Sequence, residues 1–206
     1  MIIKNLIEDI MPDIWPMVLI ITVIVSSLRI AYLLKGNKKF CLYREILNLI
    51  FIIYILCLYH VVTFQDINYG TNNFVPFKEI FRYQIGSAKF IKNIIGNIML
   101  FIPFGFFGSY YLKNKKMLTP VILTLIASTT IETVQYYIGR VFDIDDIILN
   151  ILGGVLGFLL YVGFDAIRGR LPKFMKSDTF LNLLIVVIIV LIVIYSFNLN
   201  IFGLYS

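Results

Sequence analysis

The amino-acid sequence predicts an all-α, polytopic transmembrane helical bundle with about six spans. Of its 206 residues, 60% are hydrophobic, whereas soluble domains use apolar residues for nearer half of their length. The apolar residues fall in runs long enough for a hydrocarbon core of about 30 Å, which takes roughly 20 helical residues. These runs do not alternate as the strands of a β-barrel would. The spans are therefore predicted to be helices, because a helix satisfies the hydrogen bonds of its own backbone groups in lipid.

Six apolar runs define the predicted spans of a single transmembrane domain covering residues 1–206. Short polar or basic loops separate them, except for one long polar connection, residues 65–92, between the second and third runs. The runs are 14–34, 46–64, 93–112, 117–138, 145–164 and 180–202.

The basic residues predict how the bundle is oriented in the membrane. The loops after spans one, three and five, together with Arg29, hold twelve Lys and Arg residues, and the opposite side holds six. Because cytoplasmic loops carry the excess of positive charge, the 65–92 connection and the 139–146 loop are expected outside the cell, in a plasma-membrane protein. The net charge of +6 belongs to this bias, and no nucleic-acid partner is predicted.

Within the long connection, apolar residues recur at helical spacing after Pro76, and basic residues take other positions. The apolar residues are Phe77, Ile80, Phe81 and Ile85, and the basic ones are Lys78, Arg82 and Lys89. This pattern predicts either a short basic amphipathic helix lying in the outer interface or an ordinary structured loop packed on the bundle.

Polar residues lie at similar depths near the outer ends of spans three, four and five. A charge at the centre of a membrane costs roughly 3 kcal/mol, so residues of this kind are candidates for function. They are Asn93 and Asn97 in span three, Glu132 and Gln135 in span four, and Asp145, Asp146 and Asn150 in span five. The sequence therefore predicts an outward-facing polar pocket bounded by these three spans.

Other roles are open for parts of this set. Aspartates in the first turn of a helix stabilise its dipole, so capping alone is an alternative for Asp143, Asp145 and Asp146. Hard cations prefer oxygen ligands, but the carboxylate spacing matches no known metal-binding loop, so no metal and no cofactor is predicted. Gly153 and Gly157 form a small-xxx-small face, which favours close helix packing in lipid.

Four sequence pieces together resemble the VanZ-like family of bacterial membrane proteins. They lie between about residues 73 and 161, which is under half of the chain, and their order and spacing carry the resemblance. The pieces are NFVPF at 73–77, NIIGNIMLFIPFG at 93–105, the pair Glu132 and Gln135, and GRVFDIDDIILNILGGVLG at 139–157.

The resemblance implies an association with low-level resistance to teicoplanin and related lipid-tailed glycopeptide antibiotics in Gram-positive bacteria, or a role in cell-envelope homeostasis. It also implies a set of motif positions, to which no catalytic role is attached. These positions are Asn93, Asn97, Glu132, Gln135, Arg140, Asp143, Asp145, Asp146 and Asn150.

Two functional hypotheses follow. In the first, a non-enzymatic protein binds or masks an amphiphilic partner at the outer leaflet, such as a lipid-linked envelope precursor, a teichoic polymer or a lipoglycopeptide. In the second, a membrane enzyme acts on a lipid-linked envelope precursor, with Glu132 as the candidate general base and the cluster Asp143, Asp145 and Asp146 beside it. Transport ranks last, because the sequence shows no inverted repeat.

Overall fold

A computed structural model describes residues 2–36, 40–64, 71–113 and 115–203 of the chain. Two of the basic residues counted in the charge bias, Lys38 and Lys39, lie outside these ranges. So does the first part of the long connection, residues 65–70.

Six helices within the described residues are long and apolar enough to cross a membrane, which confirms the predicted fold class. They are α1, Ile2–Lys35; α2, Leu42–Phe64; α3, Ala88–Leu112; α4, Leu118–Tyr137; α5, Ile144–Arg170; and α6, Asp178–Gly203. The α3 helix contains a π-helical stretch, Ile91–Ile95. Short 3-10 helices occur at Ile80–Arg82 and Lys173–Lys176.

The helices group into two compact units. The first combines residues 1–18 with residues 53–166, and the second combines residues 19–52 with residues 167–206. The first unit holds α3, α4 and most of α5. The single transmembrane domain over residues 1–206 stays a prediction.

In the first unit, glycines allow α3, α4 and α5 to pack with their backbones close together. A Cβ atom on Gly153 or Gly157 would lie 2.2 or 2.0 Å from a carbonyl oxygen of α3. A Cβ atom on Gly154 would lie 2.2 Å from the Thr124 hydroxyl of α4. All three distances are far inside van der Waals contact, so only glycine fits at these positions, and the face of Gly153 and Gly157 forms the close contact predicted for it.

In the second unit, polar contacts join the start of α2 to the start of α6. The Tyr43 N–H donates to the Asn182 side-chain oxygen at 3.0 Å. The Arg44 guanidinium pairs with the Asp178 carboxylate at 3.1 Å, and both of these side chains are more than half exposed. Exposed pairs of this kind stabilise a fold only slightly.

Over its described part the connection between α2 and α3 is a structured loop, which is the second of the two alternatives that the sequence left open, and no amphipathic helix forms there. The only helical turn in residues 71–87 is the 3-10 helix Ile80–Arg82. The backbone takes a positive φ at Phe77 and at Gly86, which interrupts an α-helix. The physical reason is competition, because the Asp145 carboxylate accepts backbone N–H groups of this segment.

Candidate functional site: a polar cavity at one end of the helices

The buried face of α4 is polar. Thr124, Ser128 and Glu132 follow one another at a spacing of four residues, so they lie on one side of the helix. Thr124 and Ser128 are completely buried, Glu132 is 2% exposed and Gln135 is also buried. This helix therefore turns its apolar residues outward and its polar residues inward, as is typical of polar groups in membrane helices.

A glycine turn after α4 brings a guanidinium to the end of α2. Gly139, with φ +84°, lies just past the helix, where a left-handed glycine is a common terminator. The Arg140 guanidinium then donates to the Val62 carbonyl at 2.5 Å, and the Gln135 amide donates to the same oxygen at 3.2 Å. Val62 lies in the last turn of α2, where carbonyls have no partner within the helix. Two side chains thus cap α2.

We expect the substitution Arg140→Gln to lower the stability of the fold by about 1–2 kcal/mol, because a charge-assisted bond to a helix C-terminal carbonyl is lost. The melting temperature of the purified protein in one detergent measures this effect. The matched control is Arg82→Gln, whose exposed ion pair with Glu79 contributes little. Equal melting temperatures for the two variants would contradict the capping role.

A cavity of about 40 Å³ lies beside these groups. One buried water needs roughly 10–15 Å³ of such space, so the cavity has room for roughly three water-sized groups. Its apolar lining consists of Val61, Val62, Leu100, Phe101 and Ile131, and its polar lining of Asn97, Glu132, Gln135, Arg140, Asp146 and Asn150. The polar lining comes from α3, α4, α5 and the loop between the last two.

Hydrogen bonds position the two carboxyl groups of the cavity. The Glu132 Oε2 atom accepts the Asp143 backbone N–H at 3.0 Å, which ties α4 to the loop before α5. The Asn97 amide donates to the Asp146 Oδ1 atom at 2.5 Å, which ties α3 to α5. Both carboxyl groups are thereby held on separate helices around one small space.

Asn150 supplies an unpartnered acceptor at the cavity. Its side-chain Nδ2 donates to the Ser128 hydroxyl at 2.8 Å. Its Oδ1 atom is buried and has no hydrogen-bond donor among the described residues. The whole residue is 4% exposed. A buried acceptor without a donor is unusual in native structures.

Asp145, next to Asp146 in sequence, has a different environment. Its side chain is almost completely buried and accepts the backbone N–H groups of Phe77, Glu79 and Ile80 at 2.5, 2.7 and 3.2 Å. One carboxylate therefore fixes the middle of the loop between α2 and α3. We refer to these three bonds as the Asp145 clamp.

Asp143 joins the same loop to the cavity. Its Oδ1 atom accepts the Asn73 amide at 2.8 Å and the Asp145 N–H at 2.9 Å, and Asn73 and Asp143 form an isolated parallel β-bridge. Burial raises the pKa of the Asp143 carboxyl, although the bonds from Asp145 and Asn73 oppose the rise. Asp143 is joined to the cavity through its backbone N–H, which donates to the Glu132 carboxylate.

Six of the nine predicted site residues line the cavity, and three do not. Asn97, Glu132, Gln135, Arg140, Asp146 and Asn150 line it. Asp143 and Asp145 hold the neighbouring loop, and Asn93 lies in the π-helical part of α3, near the Tyr83 side chain. That these nine residues bind a ligand stays a prediction.

Sequence reasoning missed several residues that build the site. Asn73 is 4% exposed and bonds to Asp143, and only its place in the NFVPF piece drew attention to it. Ser128 and Thr124 are one and two turns before Glu132, so the helical spacing could have identified them. Val62 contributes a backbone carbonyl, for which a side-chain pattern carries no signal.

Among the described residues, no three His, Cys, Asp or Glu side chains are grouped so that they could hold a metal ion. The paired acids of the cavity are Glu132 and Asp146 alone.

The part of the chain that the structure describes contains six helices long and apolar enough to cross a membrane, with a polar cavity among four of them. This architecture defines a multi-pass integral membrane protein. Residues 49–168 match the VanZ/LLP1 family, and the chain belongs to this family. It is similar to Protein VanZ of Enterococcus faecium, with 27% identity over 144 residues, which cover 69% of this chain and 83% of that protein. No solved structure matches the chain. All of the cavity residues lie within the matched segment.

Proposed function

We propose that this protein lowers the sensitivity of the cell to lipid-tailed glycopeptide antibiotics by binding an amphiphilic partner at the outer leaflet of the plasma membrane. The observation that carries the proposal is a charged cavity close to the ends of membrane-crossing helices. Glu132 lies five residues before the end of α4, which is roughly 8 Å along the helix. Asp146 lies in the first turn of α5. Polar parts of amphiphiles lie near this depth.

The loop fixed by the Asp145 clamp supports an amphiphilic partner. Its exposed apolar side chains are Phe74, Val75, Phe77, Phe81 and Ile85. Residues 71–92 contain four basic residues and a single acidic one, Glu79. An apolar and basic surface suits acyl chains and phosphates together. A lipid-linked envelope precursor, a teichoic polymer and a lipoglycopeptide all combine these features.

The charge bias supports a site at the outer surface, and the family supports an antibiotic as the relevant challenge. The excess of Lys and Arg in the loops after α1, α3 and α5 favours a cavity near the outer surface, because that excess faces the cytoplasm. The association that the VanZ-like family implies, low-level teicoplanin resistance, supports a lipid-tailed glycopeptide as the relevant challenge. Envelope homeostasis is the corresponding role in cells that never meet such an antibiotic.

We expect expression of the wild-type protein to raise the teicoplanin concentration that inhibits a sensitive Gram-positive host, and Glu132→Gln to remove this gain. Glutamine keeps an oxygen that accepts the Asp143 N–H, so the fold is retained, while the negative charge of the cavity is reduced. Broth-dilution sensitivity and the binding of fluorescent teicoplanin to the same cells are measured together.

Asp178→Asn is the matched control, because it also neutralises an acid but at an exposed ion pair. Membrane levels of all variants are compared by immunoblot. Wild-type cells as sensitive as cells without the protein, with equal antibiotic binding, would refute the proposal.

A second candidate function is chemistry on a lipid-linked envelope precursor, which the two acids in one cavity favour. Glu132 would act as the general base. Mass spectrometry of envelope lipids distinguishes the two functions. A lipid species that changes in cells expressing the wild type, and not in cells expressing Glu132→Gln, indicates an enzyme. Unchanged lipids together with a loss of resistance indicate binding.

A further inference from the structure

We infer that the cavity binds a primary ammonium group carried by the amphiphile. This inference rests on the proposed function for the amphiphile itself, and it names the chemical group that enters the cavity. Charge and hydrogen bonding point to that group, and the cavity has room for it.

The charges of the cavity leave one negative charge in excess. Its acidic residues are Glu132 and Asp146, and its one basic residue is Arg140. Neither acid forms an ion pair with any described residue. The Arg140 guanidinium instead donates to the Val62 carbonyl. A ligand with a single positive charge therefore balances the site when both carboxyls are ionised, and buried charges are stable only when they are balanced.

Hydrogen bonding favours a ligand that is rich in donors. Asn150 is only 4% exposed. Its Oδ1 atom has no hydrogen-bond donor among the described residues. Its amide nitrogen is already used by Ser128. The carboxylates of Glu132 and Asp146 are acceptors as well when ionised. A primary ammonium has three N–H donors and no acceptor, so it matches one donor to each of these three residues.

The N–H donors separate a primary ammonium from a quaternary one. The cavity measures about 40 Å³, which is enough for roughly three water-sized groups, so an amine nitrogen with its neighbouring methylene fits this space. A trimethylammonium group has four carbons around its nitrogen and no N–H donor, so it leaves the three acceptors without hydrogen bonds.

The inference is tested by native mass spectrometry of the full-length protein released from detergent after incubation with equal amounts of phosphatidylethanolamine and phosphatidylcholine of the same acyl chains. We expect the first bound lipid to be phosphatidylethanolamine, with a preference of about tenfold or more, as for a charge-assisted hydrogen bond. Glu132→Gln and Asp146→Asn are expected to reduce this preference to near unity, while Asp178→Asn keeps it.

A second arm identifies the source of the ammonium. Methylammonium and tetramethylammonium are added separately to the protein, and the melting temperature is followed. If methylammonium raises the melting temperature and tetramethylammonium does not, and if Glu132→Gln abolishes this rise, the result supports binding of the free ammonium group. Lipid preference without that stabilisation supports a group held by an amphiphile. Equal binding of both lipids with no effect of methylammonium overturns the inference, as does a preference that survives both cavity substitutions.

These outcomes remain separable from the proposed function. If resistance depends on Glu132 and no ammonium preference is found, only the ammonium inference fails. If the preference is found and expression leaves antibiotic sensitivity unchanged, only the proposed function fails.

Discussion

Replacing Gly105 by alanine is expected to destabilise the fold by about 3 kcal/mol, the upper end of the usual effect of overpacking. A Cβ atom at this position would lie 2.0 Å from the carbonyl oxygen of Gly154 and 2.7 Å from its carbonyl carbon. Both atoms belong to the backbone of α5, so no side-chain rotation relieves the contact. The helices α3 and α5 must separate, and the cavity residues they carry separate with them.

The melting temperature in detergent measures this effect. For a chain of this size, 3 kcal/mol corresponds to a decrease of roughly 6–12 °C. Gly163→Ala is the matched control, because a Cβ atom there meets nothing within 4 Å and alanine favours a helix over glycine. If Gly105→Ala melts as high as the control, α3 and α5 are not packed backbone to backbone.

Replacing Asp145 by asparagine is expected to release the loop between α2 and α3. The carboxylate accepts three backbone N–H groups, and the amide of asparagine places N–H donors against some of them. Hydrogen bonds to a charged group contribute about 1.5–3 kcal/mol each. We therefore expect the free energy needed to open the loop to fall by about 3 kcal/mol. The helices themselves keep their own backbone bonds.

Trypsin cleavage after Lys78 and Arg82 reports this opening, since both lie in the loop. When opening is fast, cleavage follows the population of the open form, and 3 kcal/mol corresponds to about a hundredfold faster cleavage. Asp178→Asn, in the first turn of α6, serves as the control and should cleave like the wild type. Unchanged cleavage of the Asp145 variant would show that the clamp does not hold the loop.

The sequence predicted the helices well because one physical signal determines them. Runs of about 20 apolar residues are needed to cross lipid, and six such helices lie within the described ranges of the chain. The grouping of Asn97, Glu132 and Asp146 around one space was also predicted, since a polar side chain in lipid has few alternatives to a polar neighbour. The side of the membrane on which this space lies stays a prediction.

The sequence could not predict that neighbouring aspartates have different contacts. Asp145 and Asp146 are consecutive, so their side chains leave α5 about 100° apart. Asp145 bonds to the loop and Asp146 lines the cavity. No local sequence pattern shows which of the two has which contact. For a related reason the sequence could not choose between a helix and a loop for the 77–85 segment: its apolar residues have helical spacing, but its backbone N–H groups bond to a residue far along the chain.

The Asp145 clamp also has a consequence for the order in which the protein is made. The acceptor lies 68 positions after Phe77, so the ribosome must add α3 and α4 before that aspartate exists. At typical elongation rates of 5–20 residues per second, this takes roughly 3–14 s. During that interval the backbone N–H groups of the loop lack the Asp145 acceptor. The loop therefore reaches its final conformation late in biosynthesis.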